Sequence, residues 1–248
     1  MPSNSVVQSI PANLPPSFRE ELLDRHAWQP MLEKYAQAVN LAVASVDKDG
    51  HCGTIVNARP TWSMVSAKAS SSVGDCGFSL SSSGLCTCVV DAMNTGDMVF
   101  VRDRVRLVHF AIPLRLGEHR LGALIGGQVF DQYPDQLALG HIANTVQLPP
   151  DEVWQTARLE HPVKRTTLRV YAELLQMIGD MFLQRRYQML MDEHRLAEMT
   201  RLREDLQERV QELEAFERAV VGRELKMIEL ESEMQALKRE AYKPPSES

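Results

Sequence analysis

The stretch LVHFAIPLRLGEHRLGALIGGQVF, residues 107–130, decides the fold. It holds two aliphatic runs separated by Gly117-Glu118-His119, a composition that makes strand, turn, strand. The first strand is expected from Val105 to Leu116 and the second from Arg120 to Phe130. Met98 to Arg102 reads as a third strand just before them. Farther upstream, Leu41 to Val46 and Cys52 to Val56 read as a hairpin about the turn Asp47-Lys48-Asp49-Gly50. Together these predict an α+β domain with a five-stranded antiparallel sheet and flanking helices. One face of such a sheet must be covered by helices or by a partner protomer.

The flanking segments supply the helices. Ser17 with Glu20 forms a capping box that opens a short helix. Pro30 interrupts it and starts a second helix with Leu32, Tyr35, Ala36 and Val39 on one face. A helix is expected from Leu85 to Asn94, with Gly96 just past its end. Two more are expected over Asp135–Val146 and Asp151–Leu159, separated by Leu148-Pro149-Pro150. Between them, Asn57 to Ser82 is serine-rich and poor in large apolar residues, which reads as a long functional loop.

From Val163 the chain reads as helix as far as Ala241, and from Leu196 that helix carries heptads. The a positions are Met199, Leu206, Leu213, Val220, Met227, Met234 and Ala241. The d positions are Leu202, Arg209, Phe216, Arg223, Leu230 and Leu237, so two arginines alone interrupt the seam. In a parallel pair each g residue faces the partner's e residue five positions on. Lys226 then meets Glu231 and Glu233 meets Lys238, while Glu212 meets Glu217 and repels it. A homodimeric parallel coiled coil over 196–241 is the expectation, against the alternative of a solvated helix packed on its own domain. The organisation is then a lead-in over 1–16 expected to be disordered, a domain over 17–162, a connecting helix over 163–195, the coiled coil, and a disordered tail over 242–248.

Composition narrows the function. The 248 residues are 44% hydrophobic and 24% charged, values of an ordinary globular chain. The net charge of -6 gives no global basic field, so direct nucleic-acid binding is not expected. No segment approaches the roughly 20 apolar residues of a membrane span, and the Ser/Pro/Asn-rich start lacks a signal-peptide layout. A cytoplasmic protein is expected, in which the four cysteines are thiols or ligands rather than disulfides. No phosphate loop, nucleophile elbow or His-Glu-x-x-His motif occurs, and Asp47, Asp49 and Asp75 fall in turns or loops. No catalytic residues and no enzymatic activity are expected.

Two groups of residues point to a site. Gly122, Gly126 and Gly127 remove side chains from the second strand, which marks a bulge or a close backbone or ligand approach. Gln128 beside that gap can donate to and accept from a hydroxylated ligand, or else be a surface amide next to glycines that ease packing. His109 lies on the apolar strand, as a core histidine or a ligand contact. The second group is Cys76, Cys86 and Cys88. With His109 they would form a Cys3His set for zinc or another thiolate-bound metal; otherwise they are buried or pocket-lining thiols, or a redox-responsive pair.

Residues 107–114 and 121–130, with the strand ending in Pro113 and the Gly127-Gln128-Val129 core, resemble the PocR-type sensory domain. The resemblance runs from Trp28 to Arg186 and includes Tyr133-Pro134 and His161-Pro162. It implies a PAS-like domain, on a plan shared with GAF sensors, that binds a small molecule (in the founding member a short diol). Outputs in that family include AraC-type DNA-binding domains and histidine kinases, and residues 216–238 resemble the helix that joins such sensors to kinases. The chain then reads as the input module of a bacterial-type two-component or transcription-regulatory system, reporting through the coiled coil to a partner or to an output not in these residues. Its pocket is expected between the Trp62–Phe78 segment and the Gly126–Phe130 strand. The candidate ligand-contacting residues are Trp62, Cys76, Phe78, Cys86, Cys88, His109, Gly126, Gly127, Gln128 and Phe130. Ser79 and Asp103 stand where relatives carry further cysteines, and Arg106 where they carry a small residue on the strand. Those departures leave room for two other readings, a metal- or thiol-redox sensor and a coiled-coil adaptor with a degenerate sensor.

Overall fold

In the computed structural model the described residues are 16–48, 51–68, 78, 87–103 and 105–241. Strands β1 (Ala42–Asp47), β2 (Val99–Arg102), β3 (Leu107–Leu116) and β4 (His119–Phe130) form one antiparallel sheet in the order β1-β4-β3-β2. The α+β class is as expected, but the described sheet has four strands rather than five. The segment expected to return beside β1 makes only isolated bridges, Val46 to Cys52 and Val43 to Val56. Gly53 donates to the Ser45 carbonyl at 2.8 Å and Val56 to that of Val43 at 2.8 Å. Two residue steps on β1 thus face three on the return, and the extra residue breaks the ladder.

Seven helices surround the sheet among the described residues: α1 (Pro16–Leu22), α2 (Arg25–Val39), α3 (Pro60–Lys68), α4 (Thr87–Thr95), α5 (Gln136–Thr145), α6 (Pro150–Ala157) and α7 (Arg165–Ala241). Ser17 lies inside α1 rather than capping it. Pro30 lies inside α2 and does not end it. Its ring removes one donor, and burial of Trp28, Leu32, Tyr35 and Ala36 along one face holds the helix together. Asp24 caps α2 by accepting from the His26 N–H at 3.2 Å. Gly96, at φ +79°, stands just past α4 in the left-handed conformation expected of a C-terminal glycine. Asp135 caps α5, accepting from Leu137 at 2.9 Å and Ala138 at 3.3 Å. Helix α3 occupies part of the stretch read as a loop. Its serines and threonine blur the apolar period, but Pro60 at its first position is a start signal.

Strands β3 and β4 are buried along nearly their whole length because both faces of the sheet are covered. On one face, Ala42, Ala44, Ala111, Ala123 and Ile125 lie against α4 and the fully buried Phe78. Farther along the same face, Leu107 and Phe130 pack with Val65 of α3, Leu139 and Ala143 of α5, and Val153 and Ala157 of α6. The opposite face carries Leu114 and Leu124, and α7 approaches it at Gly179. A Cβ there would stand 2.8 Å from Leu124 Cδ1. Helix α2 joins α7 through the Trp28 and Phe182 rings, 4.8 Å apart. The Tyr35 hydroxyl also donates to the Tyr171 carbonyl at 2.5 Å.

Residues through Gln188 form one compact unit and those from Met189 a second. Within the second unit α7 exposes Met199, Leu202, Leu206, Leu213, Phe216, Val220, Met227, Leu230, Met234 and Leu237. Arg209, at a d position, pairs with Asp205 of its own helix at 3.3 Å. Among the described residues no helix is long and apolar enough to cross a membrane.

Candidate functional site

The site is built on a bulge. Val108 stands opposite Val129 and His109 opposite Gly127, so Gln128 is the extra residue of β4. It is fully buried and has φ +58°. A side chain in that region costs about 1–2 kcal/mol, so something must hold it. Its Oε1 accepts the Arg59 N–H at 3.0 Å. Gly127 before it has φ +141°, and a Cβ there would lie 2.5 Å from His109 Cα, so glycine alone fits.

Arg59 is the residue just before α3, whose first N–H groups have no partner within the helix. Two side chains from distant parts of the chain supply them. Gln128 takes the Arg59 N–H, and Glu160 Oε1 takes that of Thr61 at 2.7 Å. Glu160 is buried, and its second oxygen stands 3.5 Å from Arg59 Nε. A carboxylate at a helix N-terminus also meets the positive end of the helix dipole. Arg59 Nη1 donates to Asn40 Oδ1 at 2.7 Å. Asn57 Nδ2 donates to the carbonyls of Ala36 and Leu41, both at 3.1 Å, fixing the corner between α2 and β1. Val163 N–H donates to the Phe130 carbonyl at 2.8 Å. The link into α7 is thereby fastened at Glu160 to α3 and at Val163 to the end of β4.

The sequence-selected residues divide along one sheet face. Phe78 and Cys88 belong to the cluster under α4, while Trp62 and Phe130 belong to the cluster under α3, α5 and α6. His109, Gly127 and Gln128 lie between the two clusters, since Ala111 and Ile125 belong to the first and Leu107 and Phe130 to the second. Two buried polar side chains, His109 and Gln128, thus stand between two apolar clusters. Gly126 is turned to the other face. Its missing Cβ makes room for the Phe110 ring, whose Cζ would be 2.6 Å from it.

Cys76 and Cys86 lie outside the described residues. Cys88 is buried, and Cys52 packs against the same cluster. Among the described residues no group of three or more His, Cys, Asp or Glu is placed to hold a metal ion. Asp103 accepts from the Val105 and Leu107 N–H groups at 3.0 and 2.9 Å, setting up the turn before β3. Arg106 sits in that turn at φ +69° rather than on the strand. A groove of about 340 Å³ bordered by Arg19, Asp24, Arg25, Asp47 and Lys48 lies elsewhere, and none of the eight described candidate residues lines it.

Sequence reasoning missed Arg59, Thr61, Glu160 and Asn57. The local signal was Pro60, which marks a helix start whose neighbouring N–H groups, Arg59 before it and Thr61 after it, need acceptors. No curated protein and no solved structure matches this chain. The family model described as the sensory domain found in PocR matches residues 21–187, which takes in the sheet, the bulge and the start of α7. The chain therefore belongs to the PocR sensory-domain family.

Proposed function

We propose that this chain is a small-molecule-sensing input module that signals through a homodimeric coiled coil over 196–241 to a partner, such as a histidine kinase or a transcription regulator. The observation that carries this reading is the double fastening of the link into α7, through Glu160 to Thr61 of α3 and through Val163 to Phe130 of β4. A ligand seated beside Gln128 and His109 displaces α3 relative to β4 and thereby moves the residues that lead into α7. Such coupling requires that the ligand bind two states of the helix pair with different affinity. The exposed apolar seam of the second unit gives a second copy somewhere to pack.

A thermal-shift screen with small diols, alcohols, aldehydes and aromatics tests the sensing step. A ligand at a hundredfold excess over its Kd stabilises the domain by about 2.7 kcal/mol, a shift that Gln128→Ala should remove. If no compound in the four classes raises the Tm of the wild-type chain, the reading fails. Sedimentation equilibrium tests the dimer: a monomer at all concentrations overturns the coiled-coil half of the proposal.

A further inference from the structure

Helix α7 carries a second apolar stripe, within the first unit and on the side away from the sheet. Leu168, Ala172, Leu175, Leu183 and Tyr187 are buried, yet Val170, Leu174, Met177 and Met181 are 59%, 40%, 60% and 68% exposed. At 3.6 residues per turn these four fall together on the opposite side of the helix from the buried set. Contiguous apolar patches of more than a few hundred Å² are uncommon on monomers. Four residues are far fewer than the roughly 20–30 a side of a stable interface, so the stripe suits a contact made alongside another.

The spacing 170, 174, 177, 181 is heptad spacing, with Leu174 and Met181 as a and Val170 and Met177 as d. In that register Asp180 is a g residue and Arg185 the e residue five positions on, so a parallel two-fold pair sets each Asp180 against the partner's Arg185. Asp180 is half-buried, and burial raises its carboxyl above the usual range. Among the described residues it has no ion pair within its own chain, and Arg185 is exposed. Counted along the chain, this register is out of step with the distal one. Leu174 and Met181 lead by sevens to Arg195, whereas the distal a series begins at Met199, four residues later. A four-residue offset locally unwinds a coiled coil.

We propose that the sensory domain pairs with a second copy of this chain through Val170, Leu174, Met177 and Met181, closed by ion pairs between Asp180 and the partner's Arg185, in a seam four residues out of phase with the distal coiled coil. This rests on the homodimer reading only for the identity of the partner. The test places a photoreactive benzoylphenylalanine at Leu174, at Leu213 or, as an off-stripe control, at Arg169, in a mixture of isotopically light and heavy full chains. Light-to-heavy cross-links from position 174 into the partner's 167–188 peptide, with none from position 169, support the proposal. Cross-links from 213 without any from 174 overturn it and leave the distal dimer standing. Cross-links from neither position overturn the homodimer reading as well. Asp180→Arg should lower the yield at 174 roughly tenfold by turning two attractions into repulsions, without changing the yield at 213. Combining it with Arg185→Asp should restore that yield, which separates repulsion from misfolding. A yield at 174 that ignores Asp180→Arg refutes the ion pair.

Discussion

Glu160 is the residue on which the site turns, because one buried carboxylate serves both a backbone N–H and a guanidinium. Glu160→Gln keeps an acceptor for Thr61 and loses only the charge facing Arg59. Glu160→Ala leaves the Thr61 N–H without its acceptor and a cation without its anion. The alanine variant should lose about 2–4 kcal/mol in urea unfolding and the glutamine variant about 1 kcal/mol. Equal losses would mean that the Thr61 bond contributes nothing. Gln128 stands out in the sequence because two glycines precede it, and its burial excludes the reading of a surface amide. Glu160 was not legible, since its partner Thr61 lies 99 positions away and no local spacing records that.

Among the elements, the junction of α2 with α7 has a chemical signature. Burial, and then the charge of Tyr171, push the Tyr35 phenol well above its ordinary value of 10.0. The folded state therefore keeps this proton at pH values where the unfolded chain releases it, and stability falls as pH rises beyond 10. Tyr35→Phe cannot titrate there. It should cost about 1 kcal/mol at neutral pH and show a flatter loss of stability between pH 10 and 11.5, read from denaturation midpoints. Identical slopes for the two proteins would refute the assignment. Strands β2 to β4 and helices α4 to α7 were legible from periodicity and turn residues. The return beside β1 was misread because a one-residue bulge leaves the alternation of the sequence intact while breaking the ladder. Helix α3 was missed because its serines and threonine blur the apolar period, while the acceptors that cap it come from elsewhere in the chain.

For the molecule as a whole, the division into two units lets the proposed distal pairing be tested apart from the proposed sensing step. Leu206→Asp with Leu213→Asp puts charges at two successive a positions of the distal seam. The variant should sediment with a weakened dimer, at least tenfold poorer in association, while retaining the ligand-induced thermal shift of the wild type. Loss of both together would show that ligand binding depends on distal pairing. The long helix through Ala241 was readable from sequence alone, whereas the outward stripe of the first unit emerged only once the opposite side of α7 was seen against the sheet. The capping of α3 also bears on the order in which the chain folds. Its two acceptors are 69 and 99 residues from the groups they serve, so the closure entropy of both loops comes before any reward. Helix α3 should then be among the last pieces to form and the first to open, exchanging its amide hydrogens by a local route while those of β3 and β4 wait for global unfolding.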